Sequence, residues 1–313
     1  MTDASVLVIG AGSAGARHAR NLAAAGARVT ITDPDAARAD ATGFATIPFD
    51  LDRLGDHDGI VVASPTTFHA EQATAALATG ARVLVEKPLA MTSAEAAPIV
   101  AAADGRVMVG YNLRLHAPLE QLAALLRDGR AGTVTSVRLW FGSWLPDWRP
   151  TVDYRQTYSA RRDLGGGVLL DAIHELDLLV WLGGAGDFRV VGAVVDRVGP
   201  LEIDVEDTVR ALLRRDDGVV AEVALDYLSR RYRRGVEVIG DAATLRLDWA
   251  RGVLEVETAA GVDASPASAD VTESYVRQAE RFVAFVRGDA APPVDATEGA
   301  RSVALADAIR AAG

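Results

Sequence analysis

Three glycines near the start of the chain, Gly10, Gly12 and Gly15, have the spacing G-x-G-x-x-G. The short apolar run Ser5 to Ile9 precedes them and predicts a buried strand, and the helical pattern Ala14 to Ala25 follows them. In this context glycine permits a tight turn and close approach of the backbone to a pyrophosphate, while the helix N-terminus offers free N–H groups. The sequence therefore predicts a dinucleotide site, with contacts from Gly10, Gly12, Ser13, Ala14 and Gly15.

A carboxylate, Asp33, ends the next predicted strand, Arg28 to Thr32. An acidic side chain at this point of a dinucleotide-binding sheet accepts hydrogen bonds from the ribose hydroxyls and repels a 2′-phosphate. Asp33 therefore favours NAD as the cofactor. Arg38 lies a few residues further on and would weaken this preference, so that NADP stays open.

Further polar residues follow a later predicted strand, Gly59 to Ala63. Ligands bind at the carboxyl ends of parallel strands in such sheets, so Ser64 and Thr66 are expected to line the dinucleotide site. His69, one turn into the helix that follows, is either a further cofactor contact or a histidine that caps the helix or is hydrogen-bonded at the surface.

The strand Arg82 to Val85 runs directly into Glu86-Lys87-Pro88. A charged pair at the carboxyl end of a parallel strand is poorly placed for packing and well placed to face the nicotinamide. The alternative interpretation is an ordinary surface lysine after a strand.

Short apolar strands alternate with helices over the first 115 residues or so, which indicates βαβ units and a parallel sheet. Later runs alternate apolar and polar residues, which is typical of antiparallel strands with one solvated face. We predict an α/β protein with a Rossmann doubly wound parallel sheet in domain 1–116. A C-terminal α+β domain, 117–313, contains a large, mainly antiparallel open sheet, and its last helix is expected to pack back on the first domain. Residues 259–271 are predicted to form a surface loop.

Several motifs occur together over nearly the whole chain. They are the glycine loop, Glu86-Lys87-Pro88, Gly110-Tyr111-Asn112-Leu113-Arg114, Gly165-Gly166-Gly167-Val168-Leu169-Leu170-Asp171 and Tyr275…Gln278…Phe282-Val283. This combination resembles the Gfo/Idh/MocA family of sugar and cyclitol oxidoreductases. The resemblance implies that Lys87 is catalytic, binding the reacting hydroxyl and stabilising negative charge on its oxygen. It implies a cis peptide before Pro88, and it adds Glu86, Lys87 and Asn112 to the cofactor contacts.

The helix predicted after the triple glycine, Val168 to Leu182, carries Asp171 and His174. The resemblance makes His174 the acid–base that removes the hydroxyl proton, while Asp171 orients the substrate or tunes Lys87. The commonest family spacing is four residues, whereas here it is three, which turns His174 by about 100° in a continuous helix. The alternative is a buried, hydrogen-bonded helix histidine. A metal is not expected, because H-E-x-x-H is absent.

The segment 143–162 is rich in tryptophan, tyrosine and arginine. Aromatic rings pack on the C–H faces of sugars, and clustered arginines bind carboxylates or phosphates, so an anionic sugar is one interpretation. Oligomer contact or helix capping is the other. The predicted substrate contacts are Lys87, Arg114, Trp148, Tyr154, Arg155, Tyr158, Asp171 and His174.

The chain has 313 residues, a net charge of −11 and no cysteine. The acidic balance disfavours nucleic acid and anionic membranes, and the missing cysteines exclude disulfides and thiolate chemistry. We expect a cytoplasmic protein that forms a homodimer or homotetramer through its C-terminal sheet, the latter by family resemblance.

Three functions are compared. The first is an NAD(P)-dependent dehydrogenase that acts on a secondary alcohol of a sugar, sugar derivative or cyclitol. The second is an enzyme that cleaves glycosides without net redox change by using NAD, and the third is a non-catalytic NAD-binding sensor. The residues favour the first, but they do not identify the sugar, the oxidised carbon or the physiological direction.

Overall fold

A computed structural model describes residues 4–184 and 186–313, which divide into two compact units. Unit 1 contains residues 4–115 and 272–303, and unit 2 contains residues 116–271 and 304–313, apart from residue 185. The division at residue 115 falls beside the boundary predicted after residue 116. Residues 272–303, which the sequence assigned to the second domain, cluster with unit 1.

Unit 1 is built on a parallel sheet with the strand order β3-β2-β1-β4-β5-β6, the order of a doubly wound dinucleotide-binding fold. Its strands are β1 (Ser5–Ile9), β2 (Arg28–Thr32), β3 (Ala45–Thr46), β4 (Gly59–Val62), β5 (Arg82–Val85) and β6 (Val107–Val109). The helices that follow these strands are α1 (Ser13–Ala24), α2 (Ala36–Asp40), α3 (His69–Ala78) and α4 (Ser93–Ala103). The order reverses between β1 and β4, so the carboxyl ends of these strands meet at the predicted ligand edge.

One apolar core of unit 1 combines α1 with a helix from near the end of the sequence, α8 (Thr272–Arg287). The buried face of α1 presents Ala19 and Leu22, and α8 contributes Phe282 and Phe285 to the same cluster. Each buried phenylalanine stabilises the unit by about 1.5–3 kcal/mol. The position of α1, and with it the glycine loop, therefore depends on a helix 250 or so residues further along the chain.

Unit 2 contains a mainly antiparallel sheet with the order β14-β13-β12-β11-β7-β10-β9-β8, in which β7 and β10 pair in parallel. Its strands are β7 (Val134–Gly142), β8 (Phe188–Asp196), β9 (Thr208–Arg215), β10 (Val220–Asp226), β11 (Arg233–Gly240), β12 (Thr244–Asp248), β13 (Val253–Thr258) and β14 (Gly261–Pro266). Its helices are α5 (Ala117–Arg127), α6 (Val168–Asp171) and α7 (Ile173–Leu182). The last helix, α9 (Ala296–Ala312), begins in unit 1 and ends in unit 2.

Three local features differ from the sequence-based expectations. The loop predicted at 259–271 is wrong in part, because Gly261–Pro266 pairs with β13 as an exposed edge strand. The single helix predicted over Val168–Leu182 is interrupted at Ala172, whose φ of −95° and ψ of 28° leave the helical region. Helix α4 was not predicted, although Thr92 is an N-cap that accepts a bond from Glu95 N, and the Glu95 side chain accepts one from Met91 N.

No helix within residues 4–184 and 186–313 is long and apolar enough to cross a membrane.

Candidate active site

The glycine loop has the shape that a dinucleotide pyrophosphate requires. Gly10 has a φ of +101°, and a Cβ there would lie 2.8 Å from the Ala63 carbonyl oxygen. A Cβ at Gly15 would overlap the Gly10 carbonyl, so only glycine lets α1 pack this closely. Gly12 is exposed, with open space where a Cβ would be, and α1 begins at Ser13 with no side-chain cap. The loop is therefore open to a phosphate group.

Asp33 lies at the end of β2 and is buried. Its Oδ2 accepts a hydrogen bond from Ala11 N at 2.7 Å, and its Oδ1 accepts one from Asp35 N at 2.8 Å. Arg38 lies 3.5 Å from the same carboxylate and also contacts Asp35. Asp33 thus holds the glycine loop, and Arg38 lies beside its carboxylate.

The segment after β5 carries Lys87, which is partly buried, and the peptide between Lys87 and Pro88 is cis, as predicted. Lys87 N donates to Glu86 Oε2 at 3.1 Å, and Glu86 Oε1 lies 2.6 Å from His18 Nε2 on α1. Burial raises the pKa of Glu86, but the hydrogen bond and charge of His18, with the charges of Arg17 and Lys87, outweigh it and lower that pKa to about 2. Glu86 is therefore a carboxylate above pH 4.

The loop after β4 lies beside this segment. Thr66 is buried, and Ser64 Oγ donates to Gln72 at 2.7 Å. His69, a candidate cofactor contact, lies 1% exposed with Nδ1 at 2.8 Å from Pro88 O and Nε2 at 3.0 Å from Ser64 O. Both ring nitrogens thus face backbone carbonyls.

Two further candidates of unit 1, Asn112 and Arg114, bind helices near the end of the chain. Asn112 Nδ2 donates to Ser274 Oγ at 2.7 Å, and Arg114 donates to Glu298 Oε1 at 2.5 Å. Both side chains are buried. These contacts attach the turn after β6 to α8 and α9.

In unit 2, the break at Ala172 separates Asp171, the last residue of α6, from His174 in α7. The rotation of about 100° expected for one continuous helix therefore does not apply. Asp171 Oδ2 accepts a hydrogen bond from the Tyr227 hydroxyl at 2.6 Å, and the Asp171 charge also acts on Tyr158. Burial raises the pKa of both phenols, and the Asp171 charge raises it further.

His174 is buried in the first turn of α7, beside Glu175 and near Asp177. Arg234 on β11 binds Glu175 through two bonds, Nε to Oε1 at 2.6 Å and Nη2 to Oε2 at 3.1 Å. The guanidinium lies 5.5 Å from the Phe141 ring and 5.7 Å from the Trp249 ring. This buried pair attaches the start of α7 to the sheet.

The aromatic segment 143–162 forms short 3-10 turns. Trp148 packs edge-on against Tyr227 with ring centroids 5.3 Å apart, and Tyr154 accepts a bond from Glu202 N. Arg155 is exposed and binds both Asp153 and Glu202. Arg161 forms an ion pair with Asp163. Arg162 binds Asp204 differently, with its backbone N–H on the carboxylate and its guanidinium on the backbone carbonyl. Because Arg155 and Arg161 are already paired with carboxylates, neither is evidence for an anionic substrate.

Three of the residues that build these sites, His18, Tyr227 and Arg234, were not among the sequence-based candidates. His18 shares the buried face of α1 with Gly15, Ala19 and Leu22, so a polar residue on that face was a usable signal. Tyr227 comes directly after β10 and Arg234 lies within β11. No feature of the sequence around them indicates that they bind Asp171 and Glu175.

Comparison with known proteins gives a family for both parts of the chain. Residues 4–111 match the family described as "Oxidoreductase family, NAD-binding Rossmann fold", and residues 119–246 match the GFO/IDH/MocA C-terminal domain. The chain belongs to the GFO/IDH/MocA oxidoreductase family. The predicted resemblance, the α/β fold and the NAD-binding Rossmann domain are confirmed.

Relatives within the family differ in their substrates. The chain is 35% identical to dTDP-3,4-didehydro-2,6-dideoxy-alpha-D-glucose 3-reductase of Streptomyces antibioticus, over 71% of this chain and 67% of that protein. It is 33% identical to inositol 2-dehydrogenase of Acidothermus cellulolyticus, over 79% of this chain and 74% of that protein. The fold is similar to that of WlbA dehydrogenase from Bordetella pertussis in complex with NADH and UDP-GlcNAcA, with a TM-score of 0.85 at 23% identity, covering 99% and 95% of the chains.

Proposed function

We propose that this GFO/IDH/MocA protein is an NAD-dependent dehydrogenase that oxidises a secondary alcohol of a sugar or cyclitol, or reduces the corresponding ketone. One observation carries the assignment of the catalytic residue. Lys87, at the carboxyl end of β5, is the only lysine among the 32 lysine and arginine residues of the chain. A lysine at this single position indicates a role that the planar, permanently charged guanidinium does not fill.

Lys87 donates a hydrogen bond to the reacting hydroxyl and stabilises the negative charge that develops on its oxygen. His174 accepts the hydroxyl proton, since a neutral imidazole nitrogen can act as a general base. NAD, when bound, supplies the acceptor for the hydride that leaves the alcohol carbon. Asp171, which accepts a hydrogen bond from the Tyr227 hydroxyl, provides a hydrogen-bond acceptor for the substrate.

A sugar or cyclitol is supported by the relatives' names and by the side chains around Asp171. Trp148 and Tyr158, which are partly exposed, combine flat apolar faces with polar tips, which suits a polyhydroxylated ring. The test is a panel of cyclitols, free sugars and nucleotide sugars, assayed for NADH formation by absorbance. Cofactor that co-purifies with the protein and gives no net NADH, together with glycoside cleavage, would instead support the redox-neutral alternative.

Asp33 provides a test of the cofactor assignment. Replacing Asp33 by asparagine is expected to weaken NADH binding about tenfold, because a hydrogen bond to a charged acceptor contributes about 1.5–3 kcal/mol and asparagine retains part of it. NADPH binding is expected to strengthen, since the repulsion of a 2′-phosphate is lost. Fluorescence titration gives both dissociation constants.

The matched control is Asp35→Asn, because Asp35 is half-exposed and pairs with the same Arg38. An unchanged ratio of the two dissociation constants in Asp33→Asn would contradict the role assigned to Asp33.

Tyr227 provides a test of the Asp171 cluster. In Tyr227→Phe the ring remains but the 2.6 Å bond to Asp171 is lost. We expect kcat to fall by roughly tenfold or more, the equivalent of one charge-assisted hydrogen bond, with little change in the NADH dissociation constant. Steady-state kinetics on the best alcohol of the panel measures it.

Tyr232→Phe is the control for Tyr227, because Tyr232 is an exposed tyrosine of the same unit. Equal kcat values in the two variants would show that the Tyr227 hydroxyl does not support turnover.

A further inference from the structure

Two buried histidines lie on either side of Lys87 in the structure of unit 1. His18, on α1, contacts the residue before Lys87, and His69, on α3, contacts the residue after it. Both side chains are almost completely buried, with His18 3% exposed and His69 1% exposed. The segment Glu86–Pro88 is thus held at both ends by imidazole rings.

On one side the contacts form a chain from the glycine loop to the lysine backbone. His18 follows Gly15 by one helical turn, and its Nε2 lies 2.6 Å from Glu86 Oε1. The other oxygen of the same carboxylate accepts the Lys87 amide hydrogen at 3.1 Å. Arg17 lies 4.0 Å from Glu86 and stacks on the Tyr275 ring, so a second residue of α1 faces the same carboxylate.

On the other side, His69 joins two strand-end loops. A carbonyl oxygen only accepts hydrogen bonds, and the two ring nitrogens of His69 face the carbonyls of Pro88 and Ser64 at 2.8 and 3.0 Å. A neutral ring donates to one of them and a protonated ring to both. Either form ties the carbonyl that follows Lys87 to the frame of the sheet.

These contacts bear on catalysis because lysine has a flexible four-carbon side chain. Its ammonium group is placed accurately only if the backbone that carries it is fixed, and a misplacement of about 1 Å can lower a rate by roughly 100-fold. The same contacts link the lysine to α1, whose N-terminus forms the dinucleotide site.

We propose that His18 and His69 are positioning residues, which hold the Lys87 backbone and couple it to the glycine loop. The proposal rests on the proposed role of Lys87 in alcohol oxidation. Neither histidine contacts the reacting atoms. Their loss is expected to lower turnover while cofactor binding is retained.

The test compares leucine and glutamine at each position. Glutamine retains an N–H donor that can reach Glu86 or the Pro88 carbonyl, whereas leucine fills space without a donor. We expect His18→Leu and His69→Leu to lower kcat about tenfold or more, with the NADH dissociation constant and the alcohol KM within threefold of wild type. The glutamine variants are expected to recover most of the lost rate.

The single lysine gives a readout that does not depend on turnover. Reductive methylation with 13C-formaldehyde labels Lys87 and the α-amino group alone, so that one side-chain signal reports on Lys87. In the leucine variants this methyl signal is expected to sharpen and to move towards its position in the unfolded protein. In the glutamine variants it is expected to lie close to its wild-type position. His57→Gln is the control, because His57 bonds Ser5 elsewhere in the same unit.

The outcomes separate the two proposals. If the wild-type protein fails to reduce NAD with every alcohol of the panel, the proposed function fails. The methyl signal of Lys87 alone then decides whether the histidines position this residue. If the signal and kcat of the leucine variants match those of His57→Gln, or if glutamine restores neither, the histidines do not position Lys87.

Discussion

Replacing Lys87 by methionine is expected to lower the rate of alcohol-dependent NAD reduction by roughly 100- to 1000-fold, the loss typical of one donor to a developing oxyanion. Methionine keeps a similar apolar length but has no ammonium group. The backbone bond from residue 87 to Glu86 remains, so the loop and its cis peptide are not required to change. NADH is therefore expected to bind to the variant with a dissociation constant close to that of wild type.

The variant Lys87→Arg tests whether positive charge alone is sufficient at this position. Arginine keeps the charge, but its planar fork places its donors differently, so it is not expected to restore turnover. Arg20→Met, at an exposed position of α1, is the control for loss of a positive charge in unit 1. Turnover of Lys87→Met at more than a tenth of the wild-type rate would contradict the mechanism, whereas loss of NADH binding would show that Lys87 serves the cofactor.

Removing one partner of the buried pair between Glu175 and Arg234 is expected to have the largest effect on stability. Arg234→Met leaves the Glu175 carboxylate, which is 1% exposed, without the two bonds that it accepts from the guanidinium. Breaking a buried ion pair in this way costs about 3–5 kcal/mol. We expect the urea midpoint of unit 2 to fall accordingly, as followed by tryptophan fluorescence.

Two further variants distinguish the buried pair from charge in general. The double variant Glu175→Leu with Arg234→Met leaves neither charge and is expected to regain much of the lost stability. Arg138→Met removes an arginine that bonds Glu237 on the exposed face of the same sheet, and a change of about 0–1 kcal/mol is expected there. If Arg234→Met destabilised the protein no more than Arg138→Met, the pair would not hold α7 to the sheet.

Local patterns predicted much of unit 1. The glycine loop, Asp33 and the Glu86-Lys87-Pro88 segment lie at strand ends, as predicted. They were predictable because each motif and the strand before it occupy a few adjacent residues. The break at Ala172 was not predictable in this way. Residues Val168–Leu182 are mostly apolar and contain neither proline nor glycine, so local propensity alone favours an uninterrupted helix.

The arginines of the segment 143–162 illustrate another limit. Their clustering in the sequence suggested a site for an anion, but Arg155 pairs with Glu202, which lies 47 residues away along the chain. A local count of charge does not contain the partners that the fold supplies.

By itself, the sequence determined the family, the dinucleotide-binding unit and the position of its single lysine, since those features reside in short, contiguous motifs. Only the tertiary structure decided what holds that lysine and the Asp171 cluster. His18 reaches Glu86 across 68 positions, and Tyr227 reaches Asp171 across 56. Such contacts depend on how strands and helices pack, because hydrogen bonds act over about 3 Å in space regardless of separation along the chain.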